Sequence, residues 1–245
     1  AGLPLYALES KRPALAFDYV GFTLQHELNY TNALNMIDLA GAAVEAAERP
    51  DPFPLFIGGG EGALAPEPLA PFLDLFVVGD GEEPLDALMA LAAEFKREGG
   101  AKADPRRSKA ALLRRAACIP GVYVPSLIDF EYGGDGTPAR IVSRETGEEA
   151  RPVRKAIYSL GADLGPVRPV VPNMRIIHDR LAIEIKRGCS RGCRFCSAGM
   201  IARPVRERTP DQILDIARQG LARTGFDEIS LLSLSSADYS CILPA

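Results

Sequence analysis

Cys189, Cys193 and Cys196 are separated by three and two residues, in a loop that directly follows the short apolar run Leu181–Ile185. Thiolates this close can converge on one soft metal centre, because the residues between them can turn the chain around it. Gly188 and Gly192 lie where the backbone would have to wrap tightly. Lys186, Arg187, Arg191 and Arg194 crowd the same loop, and their positive charge favours thiolate over thiol. Three cysteines complete neither a four-thiolate zinc site nor a fully ligated iron–sulfur cluster, so one coordination position is left open for chemistry. Two plainer assignments stand beside this one. The three thiolates hold a zinc ion with a fourth ligand elsewhere, Cys241 or His178, or they are unrelated buried thiols.

The stretch Cys189-Ser190-Arg191-Gly192-Cys193-Arg194-Phe195-Cys196 resembles the signature of the radical S-adenosylmethionine (SAM) superfamily, Cys-x-x-x-Cys-x-x-Cys with an aromatic residue before the last cysteine. The resemblance implies that the three thiolates hold a 4Fe–4S cluster whose fourth iron binds the amino and carboxylate groups of SAM. It implies reductive cleavage of SAM to methionine and a 5′-deoxyadenosyl radical that takes hydrogen from a substrate. It also implies an external electron donor such as a flavodoxin or ferredoxin, and it places Phe195 in the cofactor site. In the superfamily the segment after the second core strand contacts the amino group of SAM, often through Gly-Gly-Glu. Here Ser235-Ser236-Ala237-Asp238 stands there, so the resemblance passes that role to Ser235, Ser236 and Asp238. It names neither a catalytic residue nor the substrate.

The elements that must position these residues are legible around them. Leu181–Ile185 reads as a strand. Thr209 is an N-cap with Pro210 at the first helical position, and the helix runs to Thr224 with Ile213, Leu214, Ile216, Ala217 and Leu221 inward. Gly225 ends it, and Glu228–Leu234 is the next strand. Strand, loop, helix, strand and loop in this order open a β/α barrel, with polar loops at the carboxyl ends of the strands. Two parallel strands cannot close a barrel, so residues 181–245 are expected to expose apolar surface.

Residues 1–98 carry strand and helix signals in alternation: strands over Phe17–Leu24, Pro54–Ile57 and Leu73–Val78, helices over Thr31–Ala40 and Pro84–Arg97. The fold class this predicts is α/β: a doubly wound, Rossmann-like domain over 1–98, then a connector over 99–180, then the start of a partial, TIM-like barrel over 181–245. Leu34, Ile37, Met36 and Leu39 supply the apolar side of the first helix. Gly58-Gly59-Gly60 and Gly79-Asp80-Gly81-Glu82-Glu83 follow strands, as tight turns or as a ligand-binding edge. They resemble the edge of the cobalamin-binding-like domain that precedes many radical-SAM cores. The cobalt-ligating pattern D-x-H-x-x-G is absent, since His26 is followed by Glu27, Leu28 and Asn29, which leaves cobalamin a candidate cofactor without its histidine. In the connector, Arg106–Ala117 reads as a solvated basic helix, Cys118 as a small buried residue, Val122–Tyr132 and Pro138–Arg144 as a hairpin, and Gly161–Pro172 as a proline-dotted linker.

At 245 residues, with 47% hydrophobic and 24% charged content, the chain has the composition of a soluble globular protein. No apolar run is long enough for a transmembrane helix, no signal peptide is visible, and five cysteines with three clustered suit a reducing cytoplasm. The start at Ala1 and the stop at Ala245 read as the ends of a fragment. Between Arg175 and Gly225, 11 Lys and Arg face 5 Asp and Glu, a net +6 within a chain of net −4. Such a stripe balances an anionic cluster and the SAM carboxylate, or meets RNA phosphates as in the methylthiotransferase relatives of the superfamily.

Overall fold

The computed structural model describes residues 4–100, 104–161, 165 and 167–242. The chain divides into two compact units, Ala1–Tyr158 and Ser159–Ala245. In the first, strand β1 (Tyr19–Thr23) leads to helix α1 (Tyr30–Leu39), then to β2 (Leu55–Gly59) and β3 (Leu75–Val77). Helices α2 (Glu82–Arg97) and α3 (Pro105–Ala116) follow, and then β4 (Val122–Tyr123). The sheet order is β1-β2-β3-β4, with β1, β2 and β3 parallel and β4 antiparallel to β3.

Side-chain alternation along the strands builds a core on each face. Leu55, Ile57, Leu75 and Val77 pack with Leu88, Leu91 and Phe95 of α2 and Leu112, Leu113 and Ala116 of α3. Phe22, Phe56 and Phe76 pack on the other face with Ala33 and Ile37 of α1. A mixed α/β fold with a parallel sheet covered on both sides is therefore present. The strand order runs in sequence without a reversal.

Four expectations need correction here. Met36 and Leu39 are exposed, so the buried stripe of α1 is narrower and centred on Ala33 and Ile37. Helix α3 is a core helix rather than a solvated connector: Ser108, Lys109, Leu112, Leu113 and Ala116 recur at helical spacing and are all buried. The first unit accordingly extends well past residue 98. Cys118, two residues beyond the end of this helix at Ala116, is exposed rather than buried. The run Val122–Tyr132 also breaks in two at Pro125, which has no amide to donate to a ladder. Val122–Tyr123 joins the main sheet, while β5 (Ile128–Tyr132) forms a separate hairpin with β6 (Pro138–Ser143). The expected linker Gly161–Pro172 lies partly outside the described residues.

In the second unit, β7 (Leu181–Glu184) is followed by the two-residue strand β8 (Lys186–Arg187), the short helix α4 (Ala198–Ile201) and β9 (Arg206–Glu207). Helix α5 (Pro210–Thr224) then crosses over to β10 (Ile229–Leu232), which lies parallel to β7, Leu181 opposite Ile229 and Glu184 opposite Leu232. Strands β8 and β9 pair antiparallel, Lys186 opposite Glu207. Thr209 caps α5 in a full capping box: its side chain accepts from the Gln212 amide at 3.3 Å, and Gln212 accepts from the Thr209 amide at 2.9 Å. Replacing Thr209 with alanine should cost about 1 kcal/mol, read as a lower denaturant midpoint with an unchanged slope.

Leu181, Ile183 and Ile185 are buried with Ile216, Ala217 and Tyr239. Helix α5 sits so close to β7 that a Cβ at Gly220 would lie 2.5 Å from Leu181 Cδ2. Leu214, expected inward, is half exposed. Exposed apolar side chains in this unit are spread over the segment before β7 (Val170, Met174, Ile177), the cysteine loop and α4 (Phe195, Met200) and β10 (Ile229, Leu231, Leu232), whereas Leu181 and Ile183 of β7 are buried.

Candidate metal centre

The chain leaves β7 through buried Ile185 and β8 and turns at Gly188, whose φ is +92°. A Cβ there would lie 2.8 Å from the Ala202 carbonyl oxygen and 3.1 Å from that of Pro204, so the turn needs glycine on both conformational and steric grounds. Beyond it the three cysteines are free thiols, Cys189 and Cys196 half-buried and Cys193 exposed. The Cys196 amide donates to the Cys193 carbonyl at 3.1 Å, closing a turn that leads to α4. Phe195 points to solvent, 92% exposed. Among the described residues no group of three or more His, Cys, Asp or Glu side chains is gathered to hold a metal ion. The loop is thus open in this structure, while its donor chemistry, three unpaired thiols within eight residues, fits a thiolate-ligated centre. Neither expected fourth zinc ligand joins it: His178 bonds Arg180 at 2.9 Å, and exposed Cys241 lies beside the Ser240 hydroxyl at 3.8 Å.

The loop after β10 supplies the nearest carboxylate. Asp238, its side chain 5% exposed, ion-pairs with Arg191, accepts from the Ser190 hydroxyl at 3.3 Å, and lies 3.9 Å from Cys189 Sγ. The structure therefore brings Asp238 to the cysteine loop. It treats the serines differently: the Ser236 hydroxyl bonds that of Ser233 at 3.0 Å, and Ser235 precedes the single turn Ser236–Asp238.

Lys186 is the residue whose role sequence reasoning missed. Its side chain is only 1% exposed, so it does not sit among the thiols as a free cation. Its Nζ donates to the Asp238 carbonyl at 2.9 Å and pairs with Glu207 at 3.5 Å. Glu207 also accepts from the Ser240 amide at 3.3 Å and from the Ser240 hydroxyl at 2.5 Å. Burial pushes the Glu207 carboxyl up, but the Ser240 hydroxyl and amide and the Lys186 ammonium outweigh it and hold the carboxyl below the ordinary carboxylate value. Tyr239 donates to the Arg208 carbonyl at 2.8 Å, and burial pushes its phenol up. Arg187 forks onto Glu184 at 3.0 Å, and Arg208 donates to the carbonyls of Glu184 and Leu160. Several cations of the basic stripe are thus engaged inside the unit. Nothing in the sequence separates Lys186 from the exposed lysines; its position opposite Glu207 across β8 and β9 is the structural signal.

The glycine-rich edge of the first unit serves the chain itself. Gly79 has φ +98°, and a Cβ there would collide with the Ala156 carbonyl. The Ala156 amide donates to Val78 at 2.8 Å and its carbonyl accepts from Asp80 at 3.0 Å, so the returning chain occupies the end of β3. The Gly62 amide likewise bonds the Leu24 carbonyl at 2.8 Å. His26 accepts from the Leu28 amide at 3.2 Å through Nδ1, a local cap that does not single it out as a cobalt ligand.

With this geometry in hand, comparison with known proteins assigns the family. Residues 1–125 match the family described as radical SAM proteins, N-terminal, and residues 183–240 match the radical SAM superfamily. The chain belongs to the radical SAM superfamily. It is 25% identical over 240 residues to an uncharacterized protein of Methanocaldococcus jannaschii, covering 98% of this chain and 43% of that protein. It is 29% identical over 92 residues to a tRNA-2-methylthio-N(6)-dimethylallyladenosine synthase of Staphylococcus epidermidis, 38% of this chain and 18% of the synthase. The chain thus spans under half the length of these relatives. No solved structure matches it. No helix among the described residues is long and apolar enough to cross a membrane.

Proposed function

We propose that the full-length protein is a radical SAM enzyme in which Cys189, Cys193 and Cys196 hold a 4Fe–4S cluster. The observation that carries this reading is the superfamily match over residues 183–240, centred on a loop of three free thiols. The cluster, when bound, supplies the electron for reductive cleavage of SAM. The protein supplies ligation, orientation and exclusion of side reactions. Asp238 offers a nearly buried carboxylate beside Cys189, a suitable acceptor for the SAM amino group, with Ser235 and Ser236 as hydroxyls on the same loop. Phe195, exposed at the loop tip, is available to pack on the cofactor. The parallel pair β7–β10 joined by α5 is consistent with the opening of a partial β/α barrel, and the first unit's layered sheet with a Rossmann-like domain. An external electron donor of the flavodoxin or ferredoxin kind completes the reading. No step is assigned to cobalamin.

A second reading gives the enzyme an RNA substrate, as in methylthiotransferases. Its support is the 92-residue similarity to the tRNA-modifying synthase and the basic stripe, weakened by the internal pairing of Lys186, Arg187 and Arg208. A zinc-holding scaffold is the contrasting alternative. Anaerobic reconstitution of the full-length protein should give a brown protein with about four irons, and SAM should alter the paramagnetic resonance spectrum of its reduced form. A colourless protein retaining zinc would overturn the enzyme reading. A reduced spectrum indifferent to SAM would remove the SAM site.

A further inference from the structure

We propose that Lys186 is a positioning residue, a buried ammonium that fixes the Asp238 loop against the root of the cysteine loop. The proposal rests on the SAM reading above and adds how that site is held in register. Burying an ammonium is costly, and a well-packed apolar side chain often serves stability as well or better. Here the ammonium joins three pieces of backbone. Lys186 lies on β8, three residues before Cys189; its Nζ bonds the Asp238 carbonyl at 2.9 Å and pairs with Glu207 of β9 at 3.5 Å. Glu207 in turn binds the Ser240 amide and hydroxyl, and Tyr239 between them donates to the Arg208 carbonyl at 2.8 Å. The loop is therefore tied at Asp238, Tyr239 and Ser240, and the Asp238 carboxylate is left beside Cys189 and Ser190. Lys186 bonds neither a cysteine thiol nor the Asp238 carboxylate; it acts through the backbone that carries them.

The test compares Lys186→Met with the parent full-length protein in two measurements. In metal-free protein, hydrogen exchange at the Ser240 amide should quicken at least tenfold. After anaerobic reconstitution, iron content should match the parent, while the SAM concentration that half-shifts the reduced spectrum should rise at least tenfold. Glu207→Gln should move both readouts in the same direction but less, and the double variant should be little worse than Lys186→Met alone, as expected of one connected unit. If Lys186→Met does not fold, Ser240→Ala at the exposed end of the clamp carries the same two measurements. Parental SAM response with unchanged Ser240 protection would overturn the proposal. So would a loss of iron that accounts for the weaker SAM response, because Lys186 would then be holding the cysteines. Failure of the parent itself to take up iron would instead overturn the cluster reading, and the exchange measurement would still decide whether the clamp exists.

Discussion

Alanine at Cys189, Cys193 or Cys196 should strip the reconstituted full-length protein of most of its iron, to about a tenth of the parental content or less. Loss of a partner one bond beyond a metal ligand already costs about 10–100-fold in affinity, and a missing thiolate removes the bond itself. All three substitutions should behave alike although the thiols differ in exposure, Cys193 open and the others half-buried. Exposure governs access in the metal-free chain, whereas a ligand set fails when any member is absent. Cys118→Ala and Cys241→Ala are the controls. Both thiols are exposed, Cys118 beside the carbonyl of Arg114 and Cys241 beside Ser240, and both variants should keep parental iron. Near-parental iron in any one of the three loop variants would overturn the ligand assignment.

The second large effect concerns the first unit. Asp74→Ala should destabilise it by about 3–5 kcal/mol, the usual result of removing one partner from a buried ionic group. The Asp74 side chain is 1% exposed and accepts from the Phe56 amide at 2.8 Å. It also meets Arg49 at 3.3 Å and Lys109 at 2.6 Å. Arg49 lies over the Phe56 ring, 4.6 Å from its centroid, so the group sits against the core. Burial already pulls the Lys109 ammonium down, with Asp74 pulling it back up. Without Asp74 the downward pull of burial and of Arg49 is opposed only by Asp51. A base that binds its proton less well folded than unfolded costs stability while it is charged. The deficit of the variant should therefore shrink as pH rises toward the ordinary lysine value of 10.5. Denaturant unfolding at several pH values checks both parts, and a loss under about 1 kcal/mol at neutral pH would show that the three groups are not coupled.

The parts of the fold written in local pattern were readable from sequence. Thr209-Pro210 and Gly225 fixed both ends of α5, and apolar runs located β1, β2, β3 and β7. The burial of helix α3 is masked in the sequence by Arg106, Arg107, Arg114 and Arg115, although Ser108, Leu112, Leu113 and Ala116 recur at the spacing of a buried face. Other features depend on partners far along the chain. Ala156 closes the turn at Gly79, and Glu207 and Asp238 take up Lys186. The cysteine motif and the place of Asp238 after a strand were legible because both follow from chain order. The distinction between Asp238 and its neighbours Ser235 and Ser236 was not, since it depends on how the loop turns.

The contact between Gly220 and Leu181 bears on how substitutions would be tolerated. A residue with no side chain is commonly expected to accept small replacements, and Gly134, with nothing near its hypothetical Cβ, should do so on steric grounds. Gly220 should not. A single methyl there meets the end of Leu181, which is itself buried in the β7 core, so room is made only by moving the helix or shrinking the leucine. In a saturation survey Gly220 should show the narrow tolerance of a large core residue, and second-site suppressors of Gly220→Ala should concentrate at position 181 as smaller apolar side chains.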